Sequence, residues 1–249
     1  PADETTRAFL KAEGREEDFI PLCPDEDAVY DAEYDVDLSA LKPLAACPHS
    51  PDNVKDVSAL SGMKINQVCI GSCTNSSMQD MLTVAAMLKG KTVHPDVSLS
   101  ISPGSKQVYT MLAECGALAD LINAGARILE CACGPCIGMG FSPQSAGVSL
   151  RTFNRNFLAR SGTADAQVYL VSPETAAASA VAGVFTDPTT LGKAPKIQMP
   201  TAFKINDNLI EMPASVEEMD DVTVQRGPNI KPIPVGKAPA KDLSCELIL

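Results

Sequence analysis

The central part of the chain alternates short apolar runs with amphipathic segments. An apolar run at residues 68–70 is followed by helical spacing over 78–88, which ends before Gly90. The same pair recurs as a strand pattern over 97–101 and a helical pattern over 107–115. Strands that alternate with helices in this way are typical of a parallel sheet.

Further segments extend this pattern toward the carboxyl terminus. A helix is predicted near residues 118–123, a strand over 126–129 and a strand over 167–171, followed by an alanine-rich helix that ends near Gly183. Ser172 and Pro173 occupy the cap and first position of that helix, which are favoured places for these residue types. The sequence therefore predicts an α/β fold, with a mostly parallel sheet and helices on both faces.

Composition divides the chain into three regions. Residues 1–60 are acidic and contain scattered prolines, and they predict one amphipathic helix over 6–12 and an extended connector. Residues 61–200 contain the α/β pattern and are expected to form the domain that carries the chemistry. Residues 201–249 return to a proline-containing texture, and we expect an extended tail that acts as a linker over 226–234.

The net charge and the cysteine content limit which binding partners and which cellular compartment the sequence predicts. The chain of 249 residues has 20 basic and 31 acidic side chains, a net charge of −11. This charge argues against nucleic acid as a partner, and no apolar run reaches the roughly 20 residues that a membrane span requires. Nine cysteines without a dense disulfide framework favour a reducing compartment. We expect the cytoplasm, or the mitochondrial matrix for a eukaryotic source.

Two predicted turns that follow strands carry cysteines. Cys73 follows the first strand, and Cys131, Cys133 and Cys136 follow the strand at 126–129. Because such turns share one edge of a parallel sheet, the thiols are expected to converge there. The residues alone leave three interpretations open. These are an iron–sulfur cluster held by three of the thiols with one iron open, a zinc site that also uses Cys131, and buried or redox-active thiols.

A window without acidic residues extends from Cys131 to Ala164. It contains Arg151, Arg155 and Arg160, whose planar guanidinium groups can bind carboxylates through two hydrogen bonds. The window predicts a clamp for a small polycarboxylate, and the alternative is a solvated basic surface. The two histidines, His49 and His94, lie in loops beside prolines and have no evident partner in the sequence.

Three motifs resemble the aconitase superfamily of iron–sulfur hydro-lyases in order and spacing. They are Gly71-Ser72-Cys73-Thr74-Asn75, Cys133-Gly134-Pro135-Cys136-Ile137-Gly138, and Phe153-Asn154-Arg155-Asn156-Phe157 followed by Arg160. The resemblance implies an aconitase-like core fold and a [4Fe–4S] cluster. It also implies that the cluster is held by Cys73, Cys133 and Cys136. Arg155 and Arg160 would then bind substrate carboxylates, and Asn75 and Asn154 would lie close to the cluster and the substrate.

Gly134-Pro135 resembles aconitate hydratase itself. The implied activity is the conversion of citrate to isocitrate through cis-aconitate, a reaction of the tricarboxylic acid cycle, with a tricarboxylate as substrate. The alternatives are homoaconitase, an isopropylmalate-type hydro-lyase, or an iron-sensing segment that binds RNA.

Residues 227–231 resemble the start of the linker to the swivel domain of the family. The remaining aconitase domains are therefore expected as partners. The upstream His/Asp motifs and the Ser-Arg motif of the swivel domain are missing from this sequence, so we expect the catalytic base to lie elsewhere in a longer protein. Alone, this chain is expected to bind a cluster without turning over citrate.

Overall fold

A computed structural model describes residues 2–223, 225–231, 233–236 and 238. The chain forms two compact units, residues 1–206 and residues 207–249. In the second unit the described residues contain one short 3₁₀ helix, Met219–Asp221. The expected linker at 226–234 includes Pro232, which lies outside the described residues.

The first unit is built on a seven-stranded sheet. Its strands are β1 (Leu44–Ala46), β2 (Val54–Asp56), β3 (Gln67–Gly71), β4 (Ser98–Ser102), β5 (Arg127–Ile128), β6 (Val148–Arg151) and β7 (Gln167–Leu170). Their spatial order is β2-β1-β7-β6-β3-β4-β5. The pairs among β3 to β7 are parallel, and β1 pairs antiparallel with β2 and β7. The predicted α/β fold with a mostly parallel sheet is confirmed.

Three strands were not predicted. β1 and β2 bring residues 44–56 into the sheet, inside the region where only a helix and a connector were expected. β6 is short, and every second side chain on it, Ser149 and Arg151, is polar although both are buried. Residues 148–151 alternate apolar and polar side chains, but the run has only four residues, the minimum length at which such an alternation indicates a strand.

Several helices of the first unit start after residues whose side chains cap them. They are α1 (Glu4–Ala12), α2 (Val57–Leu60), α3 (Met78–Leu88), α4 (Lys106–Glu114), α5 (Ala117–Asn123) and α6 (Pro173–Ala182). The side chains of Ser77, Ser105 and Ser172 accept backbone N–H groups in the first turns of α3, α4 and α6. None of the helices in the described part of the chain is long and apolar enough to cross a membrane.

The two faces of the sheet are covered differently. On one face, Val68, Leu99, Leu150 and other strand residues join the buried side chains of α3, α4, α5 and α6 in one apolar core. The opposite face carries smaller and polar side chains. It is covered by residues 131–147, which include a short 3₁₀ helix, Gly134–Ile137. This covering segment therefore brings the cysteine turn back over the sheet.

Gly71 closes β3 in a conformation that favours glycine. Its φ is +106°, and a Cβ at this position would overlap the Ser102 carbonyl of β4. We expect Gly71→Ala to lower the free energy of unfolding by about 2 kcal/mol or more, measured by urea denaturation.

Gly90→Ala is the matched control for this substitution. Gly90 has a φ of +68°, but a Cβ there would meet no atom within 4 Å. It should therefore cost about 1 kcal/mol, from backbone strain alone. Equal losses in the two variants would show that the approach to Ser102 does not constrain the turn.

Candidate metal centre

The predicted site residues follow the carboxyl ends of three parallel strands. Cys73 and Asn75 come after β3, and Cys133 and Cys136 come after β5. Asn154, Arg155 and Arg160 come after β6. β3 and β6 are neighbours in the sheet, with β4 between β3 and β5. Because the carboxyl ends of parallel strands open on one edge, these turns lie at the same end of the sheet. The unpredicted β6 places residues 152–161, which we call the arginine segment, at this end of the sheet.

The turn after β3 exposes Cys73 while its backbone is held on both sides. Gly71 and Ser72 both have positive φ, which reverses the chain directly after the strand. The Ser72 amide donates to the Ser102 carbonyl at 2.8 Å, and the Gly71 amide donates to the Thr152 hydroxyl at 2.8 Å. Cys73 therefore follows a turn fixed to the ends of β4 and β6.

Asn75 connects this turn to the segment after β6. Its side-chain Nδ2 donates to the Thr152 carbonyl, so one half of the amide already has a partner within the protein. Asn154 lies two residues beyond Thr152 and is exposed. The resemblance implies that Asn75 and Asn154 lie close to the substrate. The hydrogen bond from Asn75 to the Thr152 carbonyl joins the two backbone segments that carry them.

The turn that holds Cys133 and Cys136 is the 3₁₀ helix Gly134–Ile137. Gly138 ends it with a φ of +83°, and the Gly138 amide donates to the Pro135 carbonyl at 3.1 Å. Cys136 is buried in a small cluster that also contains Cys69, Phe141 and Phe153. Cys133 stays exposed, so the two thiols differ in their contact with solvent.

Cys133 interacts with the thiols of Cys136 and Cys73. Desolvation raises the pKa of Cys133, and the neighbouring Cys136 and Cys73 thiols raise it further. For Cys131, burial and the Glu130 carboxylate raise the pKa, and no other described cysteine contributes. The thiols of Cys136 and Cys73 thus act on Cys133, while no described cysteine acts on Cys131, which favours a site of three cysteines over a zinc site of four thiolates.

The three grouped thiols do not form a ready site for one ion. Among the described residues, no three Cys, His, Asp or Glu side chains are arranged to hold a single metal ion. An iron–sulfur cluster is larger, and its cysteine ligands bind separate irons, so they need not meet at one point. Three thiols from two turns fit such a cluster better than they fit a single ion.

Arg160 contacts the thiol of Cys136. Its Nη2 donates to Cys136 Sγ at 3.7 Å. Its Nε is buried and has no hydrogen-bond partner among the described residues. An unpartnered buried donor is costly unless an acceptor is supplied, so this atom suits an anionic ligand bound beside Cys136. Arg155 is exposed five residues earlier in the same segment.

Arg151 is not available to a substrate, which corrects the expectation that it joins the carboxylate clamp. It is fully buried, and its guanidinium donates to the Pro135 carbonyl and to other neutral acceptors beneath the covering segment. Side chains alternate between faces along a strand, and this alternation turns Arg151 onto the covered face of β6. Arg155 and Arg160 stay the candidates for the predicted carboxylate clamp.

Two contacts that the sequence did not indicate join the arginine segment to β1. Asn156 is buried, and its Nδ2 donates to the Cys47 carbonyl at 2.8 Å. His49 pairs with Phe157 through an isolated parallel bridge. These partners lie far apart in the sequence, so local patterns could not reveal them. His94 precedes β4 and therefore lies toward the other end of the strands.

Gly138 allows the cysteine turn to approach the arginine segment. A Cβ at this position would overlap the Ser161 carbonyl. We expect Gly138→Ala to lower the Tm of the metal-free chain by roughly 5 °C, followed by differential scanning fluorimetry. We also expect it to make Cys136 more reactive toward iodoacetamide, followed by peptide mass spectrometry.

Gly140→Ala provides the control for this variant. Gly140 also has a positive φ, +72°, but a Cβ there would meet no atom within 4 Å. Its Tm should fall by less, and Cys136 should stay as unreactive as in the parent chain. If both variants expose Cys136 equally, the contact with Ser161 does not hold the turn.

Comparisons with known proteins point to the same family as the three motifs. The model of the aconitase family (aconitate hydratase) matches residues 55–183. The chain is 45% identical over 191 residues to 3-isopropylmalate dehydratase large subunit 1 of Thermotoga maritima and 45% identical over 193 residues to that of Methanopyrus kandleri. It is 43% identical over 188 residues to large subunit 2 of Archaeoglobus fulgidus.

These alignments cover 75–76% of this chain and 45–46% of each relative, so the chain spans about half the length of the curated relatives it matches. The matched residues include all three motifs within the family region 55–183. The chain belongs to the aconitase family.

Proposed function

We propose that this chain is the cluster-binding part of a hydro-lyase of the 3-isopropylmalate type. The proposal is supported by its similarity to large subunits of 3-isopropylmalate dehydratases. The observation that carries it is the grouping of Cys73, Cys133 and Cys136 at one edge of the sheet, with Arg160 against Cys136. A [4Fe–4S] cluster is the proposed cofactor.

The similarity favours a different substrate from the one that the motif between the cysteines implied. Gly134-Pro135 pointed to citrate and to the tricarboxylic acid cycle. The relatives at 43–45% identity are named 3-isopropylmalate dehydratases, so this dipeptide is too short a signal to decide the substrate. The assignment to the tricarboxylic acid cycle has no support from them. Citrate stays the second candidate, because the description of the family model includes aconitate hydratase.

Cys73, Cys133 and Cys136 would hold the cluster as thiolates. When bound, a four-iron cluster with three protein ligands supplies one iron with an open coordination position, which acts as a Lewis acid toward a substrate hydroxyl. The raised pKa of Cys133 keeps this thiol protonated near neutral pH before metal binds. Assembly therefore releases protons and should become more favourable as the pH rises.

The arginine segment would orient the substrate. Arg160 presents a buried, unpartnered Nε beside Cys136, and Arg155 is exposed in the same segment. Two guanidinium groups can bind the two carboxylates of an isopropylmalate-type substrate. Asn75 and Asn154 would add neutral hydrogen bonds near the same place. The absence of acidic residues from 131 to 164 avoids repulsion of such a dianion.

The complete enzyme is proposed to contain more protein than this chain. Dehydration requires a base that removes a proton next to a carboxylate. We expect that base in another part of the enzyme, as either the remaining aconitase domains or a further subunit. The relatives are named large subunits, which supports a partner chain.

The predictions of an RNA-binding role, a cellular location and the domain boundaries stay proposals. An iron-sensing RNA-binding role has no supporting contact, and the net charge of −11 disfavours it. A cytoplasmic or mitochondrial location and the division at residues 60 and 200 also remain predictions from the sequence.

Anaerobic reconstitution with ferrous iron and sulfide tests the cofactor. The parent chain should acquire the absorption of a four-iron cluster and, after reduction with dithionite, its EPR signal. Cys73→Ser, Cys133→Ser and Cys136→Ser should each lose most of the signal, since each removes one thiolate ligand. Cys131→Ser is the matched control and should retain it. Bound zinc without iron, together with loss of binding in Cys131→Ser, would instead support the four-thiolate zinc site.

Ligand titration of the reconstituted chain tests the substrate class. We expect 3-isopropylmalate to bind more tightly than citrate in isothermal titration calorimetry. Arg160→Lys should weaken binding about tenfold or more, because it removes the bidentate geometry while keeping the charge. The control Arg127→Lys, on β5 and away from the arginine segment, should bind like the parent. Tighter binding of citrate would favour aconitate hydratase instead.

A further inference from the structure

Arg151 is a fully buried cation whose hydrogen-bond partners are all neutral. Its Nε donates to Ser149 Oγ at 3.1 Å, and its Nη2 donates to Gln67 Oε1 at 3.0 Å and to the Phe141 carbonyl at 3.4 Å. Its Nη1 donates to the Pro135 carbonyl. No ion pair among the described residues includes Arg151. Burying a charge without a counter-charge is costly, so this arrangement needs an explanation.

The surroundings of Arg151 offer thiols as potential counter-charges. The residues that cover it belong to the window from 131 to 164, which contains no Asp or Glu. Cys69 lies opposite Arg151 in the register between β3 and β6, but it is not one of the proposed cluster ligands. Cys136 directly follows the Pro135 carbonyl that Arg151 binds. Thiols become anionic when they bind metal, so a counter-charge is available at this place only in the loaded state.

We propose that Arg151 balances the negative charge of the cysteine thiolates and their cluster, and that it positions the Cys133–Cys136 turn through the Pro135 carbonyl. This inference rests on the proposed function, because the charge that it assigns requires a cluster at these cysteines. Arg151 is a positioning residue, since it acts through the turn and touches neither a substrate nor a reacting atom.

The hydrogen-bond network shows why an arginine suits this position. Gln67 Oε1 accepts from both Arg151 and Ser149, and Gln67 Nε2 donates to the Ser142 carbonyl at 3.2 Å. The guanidinium fork thereby connects β3 and β6 to two points of the covering segment, Pro135 and Phe141. A lysine would keep the charge and lose the planar fork. A glutamine would keep hydrogen-bonding groups and lose the charge.

The charge is tested on the reconstituted chain by comparing Arg151→Lys with Arg151→Gln. Reduction makes a cluster more negative, so loss of a nearby cation should lower its reduction potential. We expect a lower potential for Arg151→Gln and a potential near that of the parent for Arg151→Lys, measured by dithionite titration with EPR detection. Arg151→Gln should also lose iron to a chelator about tenfold faster or more.

Arg127→Gln is the matched control for the loss of charge. Arg127 lies on β5 with its Cζ 5.3 Å from the centre of the Phe141 ring, and it is exposed. Because solvent screens its charge, this substitution should leave both the potential and the rate of iron loss near those of the parent. A shift as large as that of Arg151→Gln would overturn a specific role for the buried charge.

The positioning role has a readout that needs no iron. The amides of Gly138 and Met139 donate to the carbonyls of Pro135 and Gly134, so their hydrogen exchange reports the order of the turn. In the metal-free chain, exchange at these amides should be faster in Arg151→Lys and Arg151→Gln than in the parent, and unchanged in Arg127→Gln. Unchanged exchange in both Arg151 variants would overturn the positioning role.

The outcomes separate this inference from the proposed function. A parent chain that takes up no cluster overturns the proposed function and the charge role together. A parent that takes up a cluster, with equal potentials in Arg151→Lys and Arg151→Gln, overturns the charge role alone. Circular dichroism of the metal-free variants verifies their fold. If Arg151→Gln does not fold, Arg151→Met replaces it as the neutral variant, since apolar side chains often substitute for buried charges.

Discussion

Buried hydrogen bonds between the covering segment and the polar face of the sheet determine where the cysteine turn lies. Gln67 and Arg151 are buried, and their side chains donate to the carbonyls of Pro135, Phe141 and Ser142. Leaving such groups unpaired is expensive, and the bonds are directional, so they favour one placement of residues 131–147. Apolar packing on this face is limited to a small cluster around Cys136. The position of the cysteine turn therefore depends more on these polar contacts than on packing in the main apolar core.

The same contacts give the site an electrostatic character that differs from the rest of the molecule. The chain carries a net charge of −11, yet Arg160 donates to the sulfur of Cys136 and Arg151 lies behind the turn. A site that holds thiolates and a substrate with two carboxylates, as proposed, would accumulate negative charge. Nearby cations, and the lack of acidic residues in the surrounding window, reduce the cost of bringing these groups together.

The family could be recognised from short motifs, whereas the substrate could not. Thiol ligands and guanidinium groups are required by the chemistry that the family implies, so their spacing is a strong signal. Substrate choice within such a family depends on the size and shape of the whole pocket, to which parts beyond the motifs contribute. Gly134-Pro135 fixes the turn between two cysteines and does not itself measure the length of a ligand. This is why the dipeptide pointed to citrate while the similar proteins are named for 3-isopropylmalate.

The sequence by itself determined the local units in which a strand, a capped helix and a turn follow one another, because their periodicity and capping residues are neighbours in the chain. It also determined that Cys73, Cys133 and Cys136 follow predicted strands. Only the tertiary structure decided that β6 stands beside β3 and that Arg151 faces the covering segment. These features depend on strand order and on hydrogen bonds between distant segments, and no local pattern of polarity records them.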